Sequence, residues 1–502
     1  MSRPSLRRFV RIEALGALAA DPRLSSIVCD LVAAALVTAA LVVAMRATHG
    51  LLWPFDPDHW RDIAQAQTVR DGHPLADQYY LGEWVWYNPL LAWTLAAGSL
   101  LTGVSVTLFH VQTGPYLNLL GPVAFYLLAR RLAGPPAALA GLTLYLFFLS
   151  GPEPFPLYAT YSPWLFAANF AQGLFFVSVL ALLWARDRPT VMRTLASGAL
   201  VGATFLAHSA PGVLLAAIAC ALFVADWRAL ARIGGMALLV ASPFLVTVVV
   251  HYHFRVLNPA PFVWEYTPVM RDHLPQTLWD NWLLIGAAMI GLVVAPRRAL
   301  TVWLVTSAAL MIYSVVPLPR LLPAFHFWLY TTAALELLAG CTIAWLCRRP
   351  LIVAGLVGAA VIWQWPSYAN RSDLSLGRRE ALRRNPNFAP ASEFLHRTLR
   401  SNDIVLGTYG AANLIIGPSG RKTVASIPML SNPYVAIEPR STDRDRMLVA
   451  IDHADVATFA SLAAAYHVAA VVSVGGRECT AASIMLTPVW RSGDVCVSTI
   501  PW

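Results

Sequence analysis

Residues 26–47 read SIVCDLVAAALVTAALVVAMRA, an apolar run broken only by Asp30 and Arg46. A straight helix needs about 20 such residues to cross a bilayer. The run lies too deep in the chain for the core of a signal peptide, and no small-residue cleavage site follows it. It reads as a retained first span. Ahead of it stand Arg3, Arg7, Arg8, Arg11 and Arg23, and cytoplasmic segments are the ones that keep Lys and Arg. The N-terminus is therefore expected in the cytoplasm.

The rest of the 502 residues follow the same pattern, with 57% hydrophobic and only 13% charged. An ordinary soluble domain carries about 25% charged residues, so a soluble enzyme, a disordered chain and a fibrous repeat are excluded. Further apolar runs fall near 109–129, 134–150, 165–185, 194–207, 210–226, 233–252, 281–296, 299–316, 325–346 and 351–366. Arginine pairs punctuate alternate ends, among them Arg130 and Arg131, Arg228 and Arg232, and Arg348 and Arg349. If the short piece 89–103 lies at the membrane interface, this rhythm gives about eleven spans with the C-terminus outside. The net charge of +9 is then a topological signal, and nucleic acid is not expected as a partner.

Beyond about residue 367 polar residues return, and short strand-like and helix-like pieces alternate. Ile404–Gly407, Ala469–Val474 and Val495–Ile500 read as strands and Val456–His467 as a helix. The expected fold is a polytopic α-helical membrane protein with a small C-terminal extracytoplasmic α/β domain. Residues 1–366 form the membrane domain, with a first outer loop at about 48–108, and 367–502 the outer domain. Cys479 and Cys496 both lie in that domain, where an oxidising compartment permits a disulfide. The sequence leaves their pairing open.

The first outer loop holds the densest chemistry. It reads Phe55-Asp56-Pro57-Asp58-His59-Trp60-Arg61, then Glu83-Trp84-Val85-Trp86-Tyr87-Asn88-Pro89-Leu90. A carboxylate pair next to hydrocarbon is costly without a purpose. Asp56 also suits the cap of a helix opened by Pro57.

An Asp-rich motif directly after the first span, an amphipathic outer loop and an aromatic-Pro-Leu start to the next apolar piece resemble the GT-C superfamily of membrane glycosyltransferases. Phe55-Asp56-Pro57 with Trp60 is similar to the first-loop motif of oligosaccharyltransferase catalytic subunits. Tyr87-Asn88-Pro89-Leu90 resembles the Pro-Pro-Leu of protein O-mannosyltransferases and lipid A aminoarabinose transferases, with Asn88 in place of the first Pro. The chain departs from the group in two ways. Its outer domain lacks the Trp-Trp-Asp of oligosaccharyltransferases, and the Asp-Glu pair of the mannosyltransferases is here Asp56 and Asp58.

The resemblance implies transfer of a sugar from a polyprenyl-phosphate carrier to a hydroxyl of a glycan, lipid or protein acceptor, outside the membrane and with inversion. Asp56 and Asp58 are the catalytic candidates, one of them a general base. Arg320, in Pro317-Leu318-Pro319-Arg320, is the first candidate for the carrier phosphate, with Arg255 and Arg271 behind it. His59, Glu83, Tyr87 and His326 are candidate substrate contacts. No cofactor is implied and no metal ligand set is assigned. The expected location is the bacterial inner membrane, among its lipids. Two rival readings are a GT-C-like scaffold that binds a lipid-linked glycan without catalysis, and a transporter of lipid-linked sugars. Transporters tend to show inverted repeats and broken midplane helices, which this sequence lacks.

Overall fold

The computed structural model describes residues 22–148, 160–263, 266–313 and 326–500. The first apolar run becomes the helix Pro22–Thr48. Each later run also becomes a helix: Leu120–Ala133, Pro135–Phe147, Ala167–Asp187, Val191–Ala207, Ser209–Phe223, Trp227–Val246, Trp282–Val294, Arg298–Tyr313, Phe327–Cys347 and Pro350–Ala369. Among the described residues five helices are long and apolar enough to cross a membrane, or seven if two bent pairs each count as one span. One bent pair joins Leu90–Thr102 to Val106–Ala133 at 108°. Gly103, at φ 71°, makes that turn where a side chain would be strained.

Phe327–Cys347 runs through the middle of the bundle. Small residues let its neighbours approach closely, the usual basis of helix association in lipid. A methyl group at Gly340 would lie 2.5 Å from Ala137 O, and one at Gly291 only 1.9 Å from Leu338 O. Thr342 Oγ1 adds a hydrogen bond to Ala287 O across that second contact, at 2.5 Å. Glu336 is buried in the same helix, and among the described residues its Oε2 has no hydrogen-bond partner.

The outer domain is built on a five-stranded sheet: β1 Ile404–Gly407, β2 Lys422–Thr423, β3 Val468–Val474, β4 Thr487–Ser492 and β5 Val495–Thr499. The spatial order is β2-β1-β3-β5-β4. β2 and β3 run parallel to β1, whereas β5 is antiparallel to both β3 and β4. One face packs Leu406, Val471 and Val424 against Met447, Ile451 and Phe459. The other packs Val405, Ala470 and Val497 against Ala391 and Leu395 of the long helix Ser372–Thr398. A disulfide joins Cys479, in the helix Gly476–Met485, to Cys496 in β5.

This domain docks on the loop that follows the first span. Thr423 N–H donates to Tyr79 O at 2.8 Å, so the edge of β2 is covered by first-loop backbone. Arg378 Nη1 donates to Ala47 O and His49 O at the end of the first span. The first loop and the C-terminal domain are therefore in direct contact.

Candidate active site

The first loop opens with the helix Pro57–Arg70. Proline at its first position has no N–H to lose there, and Asp56 caps it, Oδ1 accepting the Asp58 N–H at 2.9 Å. Among the described residues Asp56 Oδ2 accepts no hydrogen bond. Ten consecutive residues of this helix, His59 to Thr68, are buried although most are polar. The outer domain covers one side and the helices Leu90–Thr102 and Val106–Leu117 pack on others. That enclosure sets the electrostatics of the site.

Arg61 is the centre of charge. Its Nη1 donates to Asp58 Oδ1 at 2.9 Å, while Nε and Nη2 fork onto Asp62 Oδ1 at 2.9 and 2.8 Å. Its guanidinium also lies 3.8 Å over the Tyr87 ring. A buried ion pair is tolerated only when its partners are fixed this closely. Burial pushes Asp62 up to about 6 against the pull of Arg61, and among the described residues Asp62 Oδ2 has no partner. Asp56 is half-buried. Desolvation first, then the Asp58 charge, raises it from the usual carboxylate range to about 7. A carboxylate with that affinity for protons suits a general base working near neutrality.

Of the other residues singled out in the sequence, Tyr87 joins this centre. Gln65 Nε2 donates to its backbone oxygen at 3.3 Å, and its ring stands 6.4 Å from His208. His326 packs edge-on against His208 at 4.3 Å, which brings the start of Phe327–Cys347 to the same cluster. Asn88, where the related motif has proline, donates to Phe205 O at 2.6 Å and accepts from Ser209 Oγ at 3.1 Å. His208 itself caps the helix Ser209–Phe223.

His59 is brought near Asp56 in sequence but turns inward, against Phe55, Phe166 and His110. Among the described residues neither of its ring nitrogens has a hydrogen-bond partner. Burial, helped by the nearby His110 and Arg61, pushes its imidazole well below the ordinary range, so it is neutral. It lines a small cavity with Pro54, His110, Val111, Pro163, Trp164 and Leu165. Glu83 lies apart from the carboxylates, on the turn that faces Tyr252, whose hydroxyl is 3.2 Å from Glu83 Oε2.

Of the phosphate candidates, Arg255 is solvent-exposed in the loop after Trp227–Val246. Arg271 belongs to the helix Tyr266–Asp280, but its side chain lies outside the described residues, as does the whole of Arg320. Among the described residues no group of three or more His, Cys, Asp and Glu is placed to hold a metal ion. Three contributors were missed in the sequence. Arg61 was quoted there only as part of a motif, and nothing in the pattern marks it as buried. Asp62 and Lys422 gave no signal.

The chain matches no protein-family model and no curated protein sequence. Solved structures do match. ArnT from Cupriavidus metallidurans in the apo state superposes with a TM-score of 0.57 at 16% identity, over 93% of this chain and 97% of that one. The same protein bound to undecaprenyl phosphate gives 0.59 at 14%, with the same coverage. The fold of this chain is therefore the one ArnT has. The arabinofuranosyltransferase AftD from Mycobacteria gives 0.55 at 11% identity, matching 93% of this chain but 40% of that larger one. At such identities the likeness establishes shape, and the chemistry has to be argued from the residues.

Proposed function

We propose that this protein is a polyprenyl-phosphate-sugar-dependent glycosyltransferase, acting on the extracytoplasmic side of a bacterial inner membrane with its N-terminus in the cytoplasm. The observation that carries the reading is the half-buried Asp56 at the head of a helix whose carboxylates are clamped by Arg61. It stands on a fold shared with a protein solved with undecaprenyl phosphate bound. In this reading residues 1–366 bind the carrier and hold the catalytic groups, and 367–502 form the acceptor side.

The acceptor hydroxyl gives its proton to Asp56 Oδ2 as its oxygen attacks the anomeric carbon. The bond from that carbon to the phosphate oxygen breaks, and the carrier leaves as a polyprenyl phosphate. Attack from the face opposite the phosphate inverts the anomeric centre. The leaving phosphate needs positive charge more than it needs an acid, and Arg320, Arg255 and Arg271 are the candidates to supply it. Asp58, more exposed and held by Arg61, orients the acceptor. Tyr87, His326, His59 and Glu83 complete the substrate contacts or support them.

The test uses protein purified into nanodiscs with a panel of radiolabelled undecaprenyl-phosphate-linked sugars and an envelope extract as acceptor. Label should pass from one of these lipids to the extract, and Asp56→Asn should lower that transfer about 10²-fold or more. If the wild-type protein moves no label, or if neither Asp56→Asn nor Asp58→Asn affects transfer, the proposal fails.

A further inference from the structure

The turn carrying Glu83 and Trp84 is held by groups from two distant parts of the chain. Tyr252 stands just past the span Trp227–His251. Its Oη accepts the Trp84 N–H at 2.8 Å, and its hydroxyl faces Trp84 O at 2.9 Å and Glu83 Oε2 at 3.2 Å. Asn432 comes from the outer domain and is fully buried. Its Nδ2 lies 2.9 Å from Tyr252 Oη, 3.0 Å from Asp77 Oδ2 and 3.2 Å from Trp84 O. Asn432 Oδ1 accepts the Tyr434 N–H at 2.9 Å, and the Tyr434 ring stacks on Tyr252 at 4.6 Å.

The chain is bent to make this possible. His253 and Phe254 both have positive φ, 50° and 54°, a conformation that crowds the Cβ of any residue with a side chain. The segment beyond them is strapped to the outer domain, Leu257 N–H and Asn258 N–H donating to Pro433 O and Asn258 Nδ2 to Pro428 O. Strain of this kind persists where the surroundings over-determine it, often at working sites. Here it places one hydroxyl between the first loop and the outer domain. Burial keeps the Tyr252 phenol far above its ordinary range, so it is a permanent donor. The result of all these contacts is a fixed backbone beneath two side chains that reach solvent, the partly exposed Glu83 and the exposed Trp84.

We propose that Asn432 is a positioning residue for the acceptor, acting through Tyr252 to fix the Glu83 carboxylate and the Trp84 ring where both face solvent at the first loop. This rests on the glycosyltransferase reading. It goes further in making the outer domain part of the reaction site, and in assigning the acceptor contact to a carboxylate beside an indole. That pair suits a sugar, whose hydroxyls donate to the carboxylate while its apolar face lies on the ring.

Three variants in nanodiscs test it: Tyr252→Phe, Asn432→Ala and the double substitution. Each single change should raise the half-saturating amount of envelope extract about tenfold, the scale of losing a hydrogen bond to a charged group, and leave undecaprenyl phosphate binding unaltered. Because the two residues act on one node, the double variant should lose little more than the worse single. Multiplying losses, or a loss confined to undecaprenyl phosphate binding, would overturn the proposal. Hydrogen exchange at the Trp84 amide gives a readout independent of turnover, and it should quicken in all three variants. Faster exchange with unchanged transfer would make the node purely structural and leave the glycosyltransferase reading standing. Unchanged exchange would dismiss the node itself, even if the panel of donors gave no transfer at all.

Discussion

If Asp56 is the base, the rate of sugar transfer must follow its ionisation. The structure sets that group at about 7, through desolvation and the neighbouring Asp58 charge. Only the ionised form accepts a proton, so activity should rise with pH. With a midpoint near 7, about 9% of the enzyme is competent at pH 6 and about 91% at pH 8, a tenfold difference at saturating donor. An ordinary aspartate, near 3.9, would give a flat profile over that range. Asp58→Asn provides the internal control. It removes the second cause of the shift and keeps the helix, so the midpoint should move to lower pH while transfer persists. Asp56→Asn can still accept the Asp58 N–H through its amide oxygen, and it should fold, keep the profile of neither form and lose about 10²-fold or more. The assay is label transfer from an undecaprenyl-phosphate sugar between pH 5.5 and 8.5, with undecaprenyl phosphate affinity measured at each pH. A flat wild-type profile would refute the assignment. So would abolished activity in Asp58→Asn alongside full activity in Asp56→Asn, which would exchange the two roles.

Other consequences lie further from the chemistry. Burial moves the Lys422 amine from 10.5 to about 8; a lowered cation means the unfolded chain holds the extra proton, so stability should rise between pH 8 and 10.5. At about 1.36 kcal/mol per tenfold change in proton affinity, that rise is about 3 kcal/mol, and a melting curve for Lys422→Met should lack it; identical pH dependence in both proteins would contradict the burial. Reducing Cys479–Cys496, bonded across a separation of 17 residues, should cost the outer domain about 3 kcal/mol by the chain-entropy relation. Two freely alkylatable thiols in the unreduced protein would dismiss the bond. A reporter active only outside the cytoplasm, joined after Thr499, should be active; silence with good expression would invert the topology.

The helices were legible because each apolar run in this chain is bounded by arginines, prolines or turn residues. The cap on Pro57–Arg70 was legible too, since Asp before Pro leaves few alternatives. What could not be read was burial without apolarity. His59 to Thr68 have the composition of a solvated surface, yet all ten are buried. The reason lies in residues hundreds of positions away, such as Arg421, whose Nη1 meets Asp71 at 3.1 Å. For the same reason Ser372–Thr398 looked like a series of short pieces, its charges and prolines hiding one helix of 27 residues. β4 was missed because most of its residues face outward, so no hydrophobic run marks it. Arg61 sits in plain view beside the two aspartates, but its role depends on Tyr87 and on the lid formed by the outer domain, neither of which leaves a local trace.

The polarity of that buried helix has its own logic. Arg421 follows its partner Asp71 by 350 residues, so the first loop is synthesised long before anything exists to cover it. An apolar face on Pro57–Arg70, beside a first span and next to lipid, would have partitioned into the membrane interface during that interval. A polar helix stays in water until the outer domain arrives. Docking then buries Arg61, Asp62, Gln65, Gln67 and Thr68 together with Arg421 and Lys422. Lys422 Nζ donates to Asp77 O at 2.6 Å, and the Asp77 carboxylate accepts the Tyr79 and Tyr80 N–H groups. Such an interface gains less stability than an apolar one of equal size, and across it Arg421 pairs with Asp71 while Lys422 donates to Asp77 O. These contacts hold the outer domain against the helix whose first turn carries Asp56 and Asp58. Removing a charge from this contact should therefore disturb the placement of the aspartates more than it disturbs the fold.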